Sequence, residues 1–303
     1  MTGPSVVALG GGHGLAAALR AVREYAGSIT AVVSVADDGG SSGRLRRELG
    51  VPPPGDLRRC LGALGAPGNV WADAFEHRFE GGELDGHALG NLVLVGLAET
   101  TGDFTEALDE AARLVGAVGR VRPATTERVT LKARIGDAGG GEASVEGQVA
   151  VAMTTGRIRR VELVPDDAPA HPDAVEALAA ADQVVLAPGS LYTSLLSVLG
   201  VEALRDAVTT TPAQVVQVAN LRPQVPETEG FTAADHLRAV REHGGRVDVF
   251  LADTDGIAGY LPDSEEVRAL GARLVVAPVA GTNGLVHDPR RLARALRDLV
   301  ESQ

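Results

Sequence analysis

Short apolar runs recur along the chain, each followed by a glycine-rich or polar turn and then by apolar residues at helical spacing. Residues 5–9 form the first run, Gly10-Gly11-Gly12-His13-Gly14 follows, and Leu15, Ala18, Leu19 and Val22 then mark one face of a helix over 15–25. Comparable runs at 29–33, 183–187, 214–218, 247–251 and 274–277 read as further strands. Helical spacing is expected over 57–64, 71–79, 92–100, 104–115, 172–181, 195–199, 233–243 and 289–300. Trp71, Phe75 and Phe79 lie four apart and are expected to face the core together. Unbroken apolar strands suit a parallel sheet buried on both faces. Their alternation with helices predicts an α/β fold with a Rossmann-like, doubly wound, mainly parallel sheet. Residues 121–158 change character, with the β-branched runs Val129-Thr130-Leu131 and Val149-Ala150-Val151 and a turn at Gly139-Gly140-Gly141. They predict a small β-rich flank of antiparallel strands. With no repeat or linker, residues 1–303 are expected to form a single domain.

The densest chemistry follows the second strand. Asp37, Asp38, Gly39, Gly40, Ser41, Ser42, Gly43 and Arg44 place two carboxylates, three glycines, two hydroxyls and a guanidinium in eight residues. Glycine lets backbone N–H groups line a tight concavity, and the hydroxyls add short donors. The carboxylates suit a ribose hydroxyl, a metal ion or a protonated group. Asp-Gly and Gly-Ser clusters are also ordinary turns.

Gly10, Gly11, Gly12 and Gly14, between a strand and a helix, resemble a phosphate-binding turn at a helix N-terminus. His13 either donates to a ligand or caps the turn. Val51-Pro52-Pro53-Pro54-Gly55 delivers Asp56 to a helix start, where it is an N-cap or a ligand carboxylate. His87 and Asn91 are four apart near another helix start and are read as a ligand-facing pair. After the strand at 183–187, Gly189, Ser190, Tyr192 and Thr193 offer donors to phosphate or sugar oxygens, or simply cap a helix. Asn220 ends the next strand. In a doubly wound sheet such strand ends converge on one crevice.

Composition removes several classes of function. A net charge of −12 over 303 residues argues against nucleic acid and anionic membranes as partners. Lys132 is the one lysine, and the P-loop Gly-Lys-Ser/Thr signature is absent. Cys60 is the one cysteine, which rules out an internal disulfide and a thiolate-rich metal site. No apolar run approaches the roughly 18 residues of a membrane span, and Met1-Thr2-Gly3-Pro4 lacks the charged start of a signal peptide. A cytoplasmic protein is expected.

Taken together, these motifs resemble a known bacterial family, the YvcK or gluconeogenesis-factor proteins of the CofD-like superfamily. The likeness is carried by Gly10 to Leu15, Ala36 to Leu45, Pro53 to Arg58, Gly86 to Asn91, Pro188 to Ser194, Pro226 to Gly230 and His287-Asp288-Pro289. The resemblance implies a Rossmann-like CofD fold and a regulatory protein that binds a nucleotide sugar, UDP-N-acetylglucosamine, and supports cell shape and wall synthesis on gluconeogenic carbon sources. The implied partner is that nucleotide sugar or another nucleotide diphosphate, and self-association into a homo-oligomer is compatible with it. No catalytic residue is assigned on this reading. The related CofD enzymes imply an alternative, transfer of a phospholactyl group from a guanosine diphosphate derivative to a deazaflavin precursor. Asp38 and Asp56 would then hold Mg2+. Two positions depart from the pattern: Val286 stands where an arginine is expected and Val267 where a tyrosine is expected.

Overall fold

The computed structural model describes residues 3–136, 141–254 and 260–302. Gly139 and Gly140 of the expected glycine turn lie outside them. Strand β1 (Ser5–Gly10) sits in the middle of a seven-stranded sheet. On one side it pairs in parallel with β2 (Ser28–Val33), which pairs with β3 (Arg120–Pro123). On the other side lie β7 (Gln183–Leu186), β8 (Gln214–Val218), β9 (Val249–Asp253) and β10 (Arg273–Ala277), again all parallel. The order β10-β9-β8-β7-β1-β2-β3 therefore reverses direction between β1 and β7. A doubly wound sheet opens a ligand crevice at such a reversal, beyond the strand C-termini. The expected α/β sheet is present, and β1, β2 and β7 are buried almost throughout.

Helices cover both faces. Helix α1 (Gly12–Val22) packs on α3 (Pro54–Leu64) and on the C-terminal α13 (Pro289–Glu301), which buries Leu292, Leu296 and Leu299. Helices α5 (Leu89–Thr101) and α6 (Phe104–Val115) pack on each other, and α8 (Pro172–Ala179) lies against α10 (Glu202–Thr210). Two elements correct the sequence reading. Residues 40–49 are a helix, α2 (Gly40–Leu49), rather than a turn. Its Gly43 allows the helix to touch the Asp38 carbonyl, where a Cβ would lie 1.9 Å from the oxygen. Helix α4 (Val70–Glu76) ends before Phe79, and of the expected aromatic stripe only Phe75 is buried. His77 terminates the helix and Trp71 points to solvent, at 45% exposure.

The flank is also real but shifted. Residues 120–123 belong to the main sheet. The antiparallel sheet consists of β4 (Thr130–Gly136), β5 (Glu142–Glu146) and β6 (Arg157–Val164), in the order β5-β4-β6. The run Val149-Ala150-Val151, expected as a strand, lies instead in a short helix, α7 (Gln148–Ala152), which follows β5 and packs back on β4. Among the described residues no helix is long and apolar enough to cross a membrane.

Candidate functional site

The turns after β1 and β7 meet directly at the reversal. A Cβ on Gly14 would lie 1.8 Å from the Pro188 carbonyl oxygen, so this approach of the two turns requires glycine. Beyond them opens a polar crevice of about 420 Å3. Gly11, Gly12, His13 and Gly14 form one wall, with Gly189 and Ser190 beside them. Asp37, Gly39, Gly40, Ser41 and Ser42 form the opposite lip, and Asp56 and Asn91 line the floor. These thirteen sequence candidates are thus brought together. Residues missed in the sequence also line it: Gly55, Arg59, Arg78, Gln148, Ser194 and Gln224. Arg59 had a signal, standing one helical turn after Asp56; Gln148, inside the β-rich flank, had none.

The carboxylates are already engaged. Asp56, in the first turn of α3, accepts the backbone N–H of Gly12 at 2.7 Å and a guanidinium N–H of Arg59 at 2.8 Å. It does not cap α3, whose N-cap is Pro53. The N-terminus of α1, where an anion is stabilised by unpaired N–H groups, therefore holds an internal carboxylate. Glycine at position 11 leaves room for this contact: a Cβ would lie 2.7 Å from Asp56 and 3.1 Å from the Ser194 hydroxyl. Asp37 accepts the Gly39 N–H at 3.0 Å. Burial raises its carboxyl pKa, with the neighbouring negative charge of Asp56 adding to the rise. His13 is pushed down, by burial and then by the Arg59 charge, which favours neutral imidazole.

Behind the floor runs a buried polar chain. Arg58 donates to the Phe75 carbonyl at 3.0 Å and to Asn91 Oδ1 at 3.1 Å, and pairs with Glu76 at 2.5 Å. Asn91 Nδ2 donates to Ser41 Oγ at 3.0 Å, and Ser41 Oγ lies 2.9 Å from His87 Nδ1. His87 thus sits behind Ser41 rather than in the crevice. Burial, then the Arg44 charge, lowers its pKa.

Several candidates point elsewhere. Asp38 turns away and accepts the N–H groups of Gln148 and Val149, both at 3.0 Å, at the start of α7. Arg44 reaches out to the Asp85 carbonyl at 2.6 Å. Tyr192 is buried, donates to the Ile158 carbonyl at 3.3 Å and packs edge-on against Phe231 and His243. Thr193 is buried too. The N–H groups of Tyr192 and Thr193 are both taken by Glu227, at 2.9 Å each, so this second helix start is also filled by a carboxylate. Gly10 serves strand packing, where a Cβ would meet that of Ala187 at 3.3 Å.

Asn220 clasps Gly189, accepting its N–H at 2.7 Å and donating to its carbonyl at 2.8 Å. It faces an outer compartment of about 660 Å3 that shares His13, Gly14, Gly189 and Gln224 with the crevice. Leu221, Pro223, Val225, Leu285 and Val286 give that compartment an apolar wall. Val286 is 61% exposed on its rim, whereas Val267 is fully buried in α12 (Ser264–Ala269) and faces neither space.

The structure does not bring Asp38 and Asp56 together as a metal pair: Asp38 does not line the crevice and is turned toward the start of α7. Asp37 and Asp56 are the carboxylates that line the crevice. Among the described residues no group of three or more His, Cys, Asp or Glu is arranged to hold a metal.

Comparison with known proteins agrees with this architecture. The CofD family model, described as 2-phospho-L-lactate transferase CofD, matches residues 6–279. A Mycobacterium leprae protein provisionally named a gluconeogenesis factor is 44% identical over 97% of this chain and 85% of its own. The Bacillus subtilis gluconeogenesis factor is 36% identical over 98% of both chains. A crystal structure of a UPF0052-family protein from Bacillus halodurans superposes with a TM-score of 0.90 at 37% identity, covering 98% of this chain and 99% of that one. The chain belongs to the CofD family, in its gluconeogenesis-factor (YvcK, UPF0052) group.

Proposed function

We propose that the chain is a regulator that binds a nucleotide sugar of the UDP-N-acetylglucosamine type, supporting cell shape and wall synthesis during growth on gluconeogenic carbon. It would do so in the cytoplasm, as one CofD-like domain and without turnover. The observation that carries the reading is the joining of two unlike spaces at the sheet reversal. A polar crevice lined by glycines, serines and the arginines Arg59 and Arg78 suits a diphosphate and a sugar. The more apolar outer compartment, reached past His13 and Gly189, suits a nucleobase. The relatives' names support the physiological setting.

A second reading, a Mg2+-dependent transferase acting on a nucleotide diphosphate donor, draws on the family description and on Asp37 and Asp56 lining one crevice. Magnesium, if bound between them, would supply charge neutralisation at the diphosphate. Thermal unfolding with UDP-N-acetylglucosamine separates the two. At about 100 times its dissociation constant the ligand adds about 2.7 kcal/mol of stability. Stabilisation by GDP alone, with turnover of a phospholactyl-guanosine donor, would replace the first reading with the second.

A further inference from the structure

We infer that Gln148 reads the sugar end of the ligand and that Asp38 acts on the crevice only by positioning it. The inference rests on the nucleotide-sugar reading above. Gln148 reaches the crevice from the antiparallel flank, not from the main sheet that supplies the glycine turns. Its place is set by a double clasp, Asp38 Oδ2 on the Gln148 N–H and Oδ1 on the Val149 N–H, both at 3.0 Å. The preceding Gly147 has φ +99°, and a Cβ there would lie 2.6 Å from Asp38 Oδ2, so the clasp depends on glycine. Gly147 is tied back to β4 by its N–H to the Leu131 carbonyl at 2.8 Å. Arg46 joins the flank to the crevice lip, donating to the carbonyls of Asp37 and Val129.

The direction of the ligand follows from which residues touch. Gly11 lies against Asp56, Gly55 lies against Ser42 and Asp37, and Gly39 lies against Val149. This series runs from the glycine turn across the crevice to α7. The outer compartment opens at His13, Gly14 and Gly189, at the start of that series. With a base in the outer compartment and a diphosphate at the turn, the sugar falls at the far end, beside Asp37 and Gln148. A primary amide offers a donor and an acceptor without charge, which complements a hydroxyl or an acetamido group.

Calorimetry with UDP-N-acetylglucosamine and with UDP, joined to amide hydrogen exchange over 147–152, tests both roles. Gln148→Ala should weaken UDP-N-acetylglucosamine about tenfold, the worth of one or two hydrogen bonds, and leave UDP unchanged. Asp38→Ala should give the same selective loss together with faster exchange at Gln148 and Val149, and should add little in a Gln148→Ala background. Asp38→Asn, which keeps an acceptor but no charge, should restore part of the affinity. Equal losses for UDP and the sugar nucleotide in Gln148→Ala, or full additivity of the two alanine variants, would overturn the inference. Failure of the wild-type protein to bind UDP-N-acetylglucosamine at all would instead overturn the nucleotide-sugar reading beneath it.

Discussion

Asp56 Oδ2 accepts the Gly12 N–H at 2.7 Å, so the first N–H of α1 already faces a carboxylate before any ligand arrives. An incoming diphosphate meets that negative charge, softened by Arg59 on the other oxygen. Asp56→Asn keeps an acceptor for Gly12 and removes the charge. At a screened effective dielectric this is worth about 1 kcal/mol to a nearby anion, so nucleotide affinity should rise about fivefold without Mg2+. The check is calorimetry with and without the cation. Weaker binding confined to Mg2+-containing buffer would assign Asp56 to a metal bridge.

Arg58 holds the crevice floor from behind. Its guanidinium is 2% exposed and orients Asn91 through Oδ1, which leaves Nδ2 to donate to Ser41. Removing a buried cation strands its partners. Arg58→Ala should cost about 3 kcal/mol in urea unfolding, because the Phe75 carbonyl and the Asn91 amide lose their donor. Arg58→Lys should fold better yet still bind nucleotide more weakly than wild type, since a single ammonium cannot copy the fork.

The strands of the parallel sheet are legible in the sequence because burial on both faces leaves runs such as 5–9, 29–33 and 183–187 without polar alternation. Helix Gly40–Leu49 is not, since Gly40-Ser41-Ser42-Gly43 has the composition of a turn. It becomes a helix through contacts that sequence does not display: Leu45 buries, Gly43 closes on Asp38, and Gly50 ends it with φ +74°. The same limit applies to the site. Residue types identify Asp37, Asp38 and Tyr192 equally well, but the turns that follow β2 and β7 decide orientation. They send Asp37 into the crevice, Asp38 to α7 and Tyr192 into the core. Gln148 escapes notice because α7 reaches the crevice only through tertiary packing.

Glu227 is a fixed acceptor at the second helix start. It is 4% exposed, and burial raises its pKa while the N–H groups of Tyr192 and Thr193 oppose the rise. Glu227→Ala should therefore leave two buried donors unpaired and lower stability by about 3 kcal/mol. In Glu227→Gln the side-chain oxygen still accepts both, and the loss should be less than half as large. Chemical denaturation of the two variants reads the difference; equal losses would mean that the charge, not the acceptor, stabilises this turn.

His287 gives the fold a defined response to acid. Burial in the wall of the outer compartment lowers its pKa from 6.5 to about 4, against smaller opposing effects of the Ala219 carbonyl and Asp253. The folded state therefore binds the proton less readily than the unfolded chain. This residue's contribution is fully present above pH 6.5. It declines as the pH falls from there toward about 4, because only the unfolded chain takes up the proton, and below that it changes no further. Over that window the loss amounts to about 2 to 4 kcal/mol. Urea unfolding of wild type and His287→Gln at pH 7.5 and pH 5 measures it: the wild-type protein should lose more stability between the two than the variant. Parallel losses would show that protonation of this imidazole does not govern the acid response.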